Sequence, residues 1–366
     1  MHKVLTLIII IISFLLATNA CQNKKQQQEK KEIKTDEFTK RVSVIEVKSP
    51  RAGELFTLGD MVKIDIALKD IEQNVDSIII QSENTQATLW TENLDFSWDT
   101  HGLKTGNNTL QITAYAQAKK IDSYTLKLRF KSDIKPELYE CRIVNTYPHD
   151  TKAYTQGLFY DHGILYEGTG QKGESSLRKV ILETGELIQS LSLPAKYFGE
   201  GISAFGDKII QLTWTSQTGF VYDKENFTLI NTLQYPTQGW GITTDGKKLI
   251  MSDGSQTIYF LEPEYFTEIG RVEVYDHEGP VRNLNELEYI NGLVYANIFL
   301  QEEIIAFDPK TGKVKQRIDC RKVIPEGFRN EHDNVLNGIA YDKKKNRIFI
   351  TGKRWPHLYE VQFQKF

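Results

Sequence analysis

Several features are scarce in this 366-residue chain, and each scarcity excludes something. There are three cysteines, so no dense disulfide framework can organise the fold. The seven histidines are scattered, with no HxxxH or HExxH pair, and neither Cys141 nor Cys320 has metal-ligand spacing around it. No serine stands in GxSxG, and no glycine-rich loop opens a helix. A nucleophile elbow and a phosphate cradle are therefore both absent. The net charge is -3, and no basic stretch in the folded part resembles a phosphate-binding face, so nucleic acid is not an expected partner. Beyond the first twenty residues there is no long apolar run. Asp253, Asp276 and Glu278 are conceivable metal ligands, but they read as solvated turn carboxylates, and no metal or cofactor is expected.

What is present begins with a targeting segment at residues 1–20. Lys3 precedes an almost wholly apolar run from Val4 to Ala17, too short to span a bilayer and typical of a secretory signal. The stretch Ala17-Thr18-Asn19-Ala20 before Cys21 resembles a bacterial lipoprotein cleavage site, with Thr18 a less usual residue in it. Lipidation of Cys21 is expected, with attachment to the cell envelope, in the periplasm or at the outer membrane, through that anchor alone. Residues 21–40, rich in Gln, Lys and Glu, have little to bury and read as a disordered tether. Export permits a disulfide, but nothing places Cys141 and Cys320 together, and two free thiols fit equally well. Nothing signals oligomers, so a monomer is the default.

Residues 41–133 contain about seven short apolar or alternating runs separated by turn clusters such as Pro50-Arg51-Ala52-Gly53. This pattern suggests an immunoglobulin-like β-sandwich with Trp90 and Trp98 in its core or at its edge. A short linker, 132–138, follows.

From residue 139 to 366 one hairpin recurs. TQGLFYDHGILYEGTG begins at Thr155, GEGISAFGDKIIQLTW at Gly199 and GWGITTDGKKLIMSDGS at Gly239. LNELEYINGLVYANIF begins at Leu284 and LNGIAYDKKKNRIFITGK at Leu336. The anchors Gly157, Gly201, Gly241, Glu286 and Gly338 are 44, 40, 45 and 52 residues apart. Several strands per unit at such a period is the signature of a β-propeller, here five-bladed. The strand around Cys141 to Val144 is placed to close the ring with the last blade. The whole chain is thus expected to be all-β: a five-bladed propeller preceded by the sandwich.

Equivalent positions at the start of the entry strands are Gln156, Glu200, Trp240, Asn285 and Asn337. The exit-strand ends add Trp214, Asn297, Phe299 and Lys353. A structural collar would carry small or apolar residues. This one carries a carboxylate, an ammonium, amides and aromatics. Gly206-Asp207 turns the second hairpin so that Glu200 and Trp214 meet at one edge, an acid against a large apolar face.

The residues here resemble the plant-type glutaminyl cyclases, or glutaminyl-peptide cyclotransferases, a family with bacterial members. The resemblance runs in order through YTQGL (154–158), LYEGTG (165–170), FGEGI (198–202), LTW (212–214), GWG (239–241), SDGS (252–255), LNELE (284–288), ANI (296–298), LNGIA (336–340) and TGK (351–353). It covers the repeats and leaves out residues 41–133. It implies a five-bladed propeller and a metal-independent acyltransferase that cyclises the N-terminal Gln of peptides or proteins to pyroglutamate and releases ammonia. Carried onto this chain, it implies Glu200 as acid/base, with Asn285 and Lys353 beside it as catalytic partners. Gln156, Phe198, Trp214, Trp240, Phe299 and Tyr154 then line the substrate pocket. Phe299 stands where the family usually has Trp, Tyr154 where Phe is usual and Gly168 where Ser is usual. Two readings compete: a non-catalytic envelope propeller that binds peptides or glycans, and a metal-dependent lactonase or lyase-type propeller.

Overall fold

A computed structural model describes residues 43–69, 74–328 and 333–366. The signal segment, Cys21 and the tether lie outside the described residues. Val44–Phe366 form one compact unit. It is all-β, with a single 3-10 turn at Arg321–Val323 among the described residues.

The first part stacks two sheets. Ile45–Ser49, Met61–Leu68 and Phe96–Asp99 form one. Leu55–Thr57, Lys119–Lys131, Gly106–Ala116, Ser77–Gln81 and Gln86–Trp90 form the other, in that order. Alternation makes this possible: in Met61–Leu68 the apolar residues Val62, Ile64 and Ile66 are buried and alternate with exposed Met61, Lys63 and Asp65. Trp98 is fully buried with its ring edge-on to Phe130 at 5.5 Å, whereas Trp90 is 61% exposed. The five-stranded sheet docks on the repeats. Thr105 N–H donates to Thr311 O at 2.9 Å, and Asn107 Nδ2 donates to Glu273 Oε1 at 2.6 Å.

Each recurring segment folds as the expected hairpin and continues into four strands. Three separate four-stranded antiparallel sheets begin at Thr155, Gly199 and Ile242. Two further four-strand groups begin at Leu284 and Leu336, and they are joined through the strand Glu137–Pro148. That strand pairs antiparallel with His357–Lys365 and parallel with Val314–Asp319, so chain from before the first hairpin completes the last group. It begins at Glu137, two residues before the start expected from the repeats.

The five innermost strands touch in cyclic order: Thr155–Asp161, Gly199–Phe205, Ile242–Thr244, Leu284–Ile290, Leu336–Asp342, and back to the first. The anchors sit where these strands approach most closely. A Cβ on Gly241 would lie 2.1 Å from Asn285 O, and one on Gly201 2.7 Å from Trp240 O, so a side chain fits at neither. The fourth anchor is Glu286. Its carboxylate spans the axis, accepting from Leu158 N–H at 3.2 Å and Ile339 N–H at 2.9 Å. Cys141 and Cys320 are free thiols buried in the same core cluster.

Candidate active site

Four innermost strands share a local irregularity. Pairing skips between Thr155 and Gly157, Gly199 and Ile202, Leu284 and Leu287, and Leu336 and Ile339. Gln156, Glu200, Asn285 and Asn337 all fall inside these bulges. A bulge re-aims its side chain, which a strict two-residue alternation would send elsewhere. Repetition of one bulge thus delivers polar groups to one end of the axis.

There Gln156, Glu200 and Asn285 border a cavity of ≈ 220 Å³ lined by Tyr154, Gln156, Phe198, Glu200, Trp214, Trp240, Asn285, Phe299 and Lys353. These are the nine pocket residues named from the sequence. Asn337 and Asn297 are not among its walls. Both are fully buried behind it, where Asn297 Oδ1 accepts from Gly338 N–H at 2.9 Å. Asn337 Nδ2 donates to Gln156 Oε1 at 3.1 Å, and Gln156 Nε2 donates to Glu200 Oε1 at 3.1 Å. Asn337 therefore sets the amide orientation of Gln156, and Gln156 in turn holds the carboxyl group. Asp253, Asp276 and Glu278 lie away from the cavity walls. Asp253 bonds Ser255 and Tyr259, and Asp276 pairs with Arg317 at 2.8 Å.

Glu200 is 5% exposed. Burial pushes its carboxyl well above the usual carboxylate range, opposed by the positive charge of Lys353. Lys353 is 3% exposed, and burial brings its ammonium down to about 8 while Glu200 opposes the shift. The ammonium sits between two rings, 4.8 Å from the centre of Tyr154 and 5.0 Å from that of Phe299. Asn285 Oδ1 is buried and accepts no hydrogen bond from any described residue. A buried acceptor left open is costly unless something occupies it in use.

The aromatic walls contact one another edge to face. Tyr154 meets Phe198 at 6.1 Å, Phe198 meets Trp214 at 5.7 Å, and Trp240 meets Phe299 at 5.6 Å. Both indole N–H groups, of Trp214 and Trp240, donate to Gln238 Oε1, at 2.8 and 3.0 Å. Gln238 was not singled out from the sequence, although it stands three residues before the anchor Gly241, as Tyr154 and Phe198 stand before Gly157 and Gly201.

A buried cluster fixes the segment that carries Lys353. His149 Nε2 lies 3.0 Å from Glu167 Oε1, and its Nδ1 lies 2.7 Å from Trp355 O. Thr155 Oγ1 donates to the same Glu167 oxygen at 2.7 Å. Burial pulls the imidazole down, but the Glu167 carboxylate outweighs it and the net direction is up, towards imidazolium. The strand start bearing Gln156 and the turn bearing Lys353 are thereby tied to one carboxylate.

Fold and site together define a class: an all-β protein whose ring of strands opens on a small aromatic cavity holding one buried acid and one buried amine. The comparisons specify it further. The family model described as glutamine cyclotransferase matches residues 108–363. That match begins earlier than the repeats, inside the strand Gly106–Ala116. Glutaminyl-peptide cyclotransferase from Arabidopsis thaliana is 38% identical over 237 residues, covering 64% of this chain and 74% of that protein. The crystal structure of Myxococcus xanthus glutaminyl cyclase matches with a TM-score of 0.60 and 35% identity, covering 63% of this chain and all of that one. The chain belongs to the glutamine cyclotransferase family.

Proposed function

We propose that this protein converts the N-terminal glutamine of peptides or proteins to pyroglutamate and releases ammonia. The observation that carries the reading is the meeting, in one cavity, of buried Glu200, buried Lys353 and the open acceptor of Asn285. Family membership gives the reaction class, and these three groups match what that reaction needs.

The α-amine must attack the side-chain amide carbon of the same residue, so the substrate has to be held curled. Asn285 Oδ1 accepts from the α-amine and aims its lone pair. As the new C–N bond forms, Glu200 takes a proton from the attacking nitrogen. The carbonyl oxygen becomes an oxyanion, which the Lys353 ammonium stabilises. Glu200 then returns its proton to the side-chain nitrogen, the old C–N bond breaks, and ammonia leaves. A raised carboxyl suits both halves of this shuttle. Trp214 and Trp240 cover the aliphatic part of the substrate, with Tyr154, Phe198 and Phe299 closing the remaining sides. Phe299 keeps an aromatic wall but supplies no indole N–H. The step is an acyl transfer within the substrate, and no part of it is assigned to a metal or cofactor.

In the same reading the architecture is a five-bladed propeller at residues 139–366 after an immunoglobulin-like sandwich at 41–133. Five hairpins in cyclic contact support the first, and two sheets sharing one core support the second. We also propose an exported monomer held at the envelope by lipidated Cys21. The test of the activity is ammonia release from a Gln-initiated dipeptide, with pyroglutamyl product identified by mass. Release that persists with EDTA supports the reading. No release from the folded protein contradicts it.

A further inference from the structure

We propose that Gln238 is a positioning residue that closes the ring of side chains around the cavity mouth and so fixes both tryptophans. The inference rests on the functional reading above for its kinetic consequence, but not for its geometry. Around the mouth, each neighbouring pair makes a direct contact except one. Lys353 bridges Phe299 and Tyr154, and the aromatic contacts run from Tyr154 to Trp214 and from Phe299 to Trp240. The gap lies between the two indoles. Gln238 Oε1 fills it, accepting from Trp214 Nε1 at 2.8 Å and Trp240 Nε1 at 3.0 Å.

The chemistry determines which end of the amide faces inward. An indole nitrogen only donates, so the shared atom must be the oxygen. One acceptor holding two donors fixes the spacing of the rings as well as their tilt. Trp214 is 39% exposed, with the Phe198 ring edge-on to it at 5.7 Å, so the hydrogen bond adds a second restraint to a ring that burial alone does not fix. The loop that carries the amide is anchored on both sides: Gly239 N–H donates to Trp214 O at 3.0 Å, and the Gln217 side-chain Nε2 donates to Pro236 O at 2.9 Å. Gln238 is itself exposed, so replacing it leaves the core untouched. Its loss would widen the mouth and weaken binding of the substrate's aliphatic part, alike in ground and transition states. That is a change in KM rather than in kcat.

The test uses Gln238→Leu, which removes the acceptor, and Gln238→Glu, which keeps it. The five tryptophans give five indole N–H signals in ¹⁵N spectra of the full chain. In Gln238→Leu the signals of Trp214 and Trp240 should move and exchange faster with solvent. Those of Trp98 and Trp355, whose N–H groups donate to Asn84 and Asn334, should not. KM for a Gln-initiated dipeptide should rise about tenfold, the scale of losing two modest hydrogen bonds, with kcat within about threefold. Gln238→Glu should restore both the signals and KM. Unmoved indole signals would overturn the proposal. So would moved signals with an unchanged KM, or a fall confined to kcat. If the wild type releases no ammonia, the cyclase reading fails, while the indole spectra still decide whether Gln238 holds the rings.

Discussion

Replacing Lys353 with methionine keeps most of the side chain's bulk and removes its charge. Two effects follow, and both can be read in one pH profile. The first is on Glu200, whose carboxyl is pushed up by burial and held back by Lys353. With that charge gone, burial acts on the carboxyl unopposed. The ascending limb of kcat/KM should therefore move upward in pH. The second effect is on the alkaline side. The Lys353 ammonium, brought down to about 8, loses its proton above that pH, and oxyanion stabilisation goes with it. Wild-type kcat should therefore fall above about pH 8, and the variant should lack that descending limb. Its plateau should lie about 10²- to 10³-fold below the wild-type maximum, the usual loss for one oxyanion donor. The substrate amine, ordinarily near pKa 7.7–8.0, contributes the same ascending limb to both profiles, so the difference between them isolates the enzyme. Ammonia release from a Gln-dipeptide between pH 5 and 10 measures it. A variant that retains the descending limb, or whose ascending limb moves down, would refute this account of the pair.

Other outcomes follow from the same geometry. Asn285→Leu removes the open acceptor and should lower kcat/KM by about 10- to 100-fold, the worth of one hydrogen bond to a charged or reacting group. Gly241→Ala places a methyl 2.1 Å from Asn285 O, so it should cost at least about 1–3 kcal/mol in urea unfolding and displace Asn285 as well. Glu200→Gln should be more stable than wild type at alkaline pH. The folded-state pKa of Glu200 is raised, so the wild type loses stability relative to the amide as pH climbs from the ordinary carboxylate range through that raised value. Melting curves should show a gap that is small near pH 4 and larger near pH 9. Cys141 and Cys320 are buried, and burial is the leading cause that raises the Cys320 thiol, so Cys320 should resist alkylation until the protein unfolds.

Much of this could be read from sequence because a ring of hairpins writes its period into the chain. The spacing of Gly157, Gly201, Gly241, Glu286 and Gly338 gave the period of the five hairpins. Equivalent positions around them located Gln156, Glu200, Trp240 and Asn285. Side-chain direction was harder. Asn337 lies in the same kind of bulge as Gln156, Glu200 and Asn285, and Asn297 near an exit-strand end, yet both hydrogen-bond behind the cavity; equivalent spacing does not fix which groups a side chain bonds. Gln238 was invisible for a different reason. It occupies the repeat position of Tyr154 and Phe198, but it is a polar residue on an exposed loop where they are aromatic, and only three-dimensional proximity shows that it joins Trp214 to Trp240. The role of Glu286 was equally hidden: an acid at a position otherwise glycine shows only that something differs there, not that its carboxylate bonds two strands across the axis. The start of the closing strand at Glu137 fell inside what composition marked as a linker, since Lys135 and Pro136 break the apolar pattern just before it.

The central claim is that Glu200 moves the proton from the attacking amine to the leaving nitrogen. The most direct measurement is single-turnover ammonia release from a Gln-dipeptide by wild type and by Glu200→Gln, with EDTA present in both. Pyroglutamyl peptide should be assayed in the same samples. The account predicts chelator-resistant turnover in the wild type and a loss of about 10²- to 10⁴-fold in a variant that remains folded. Equal rates in the two proteins would contradict it.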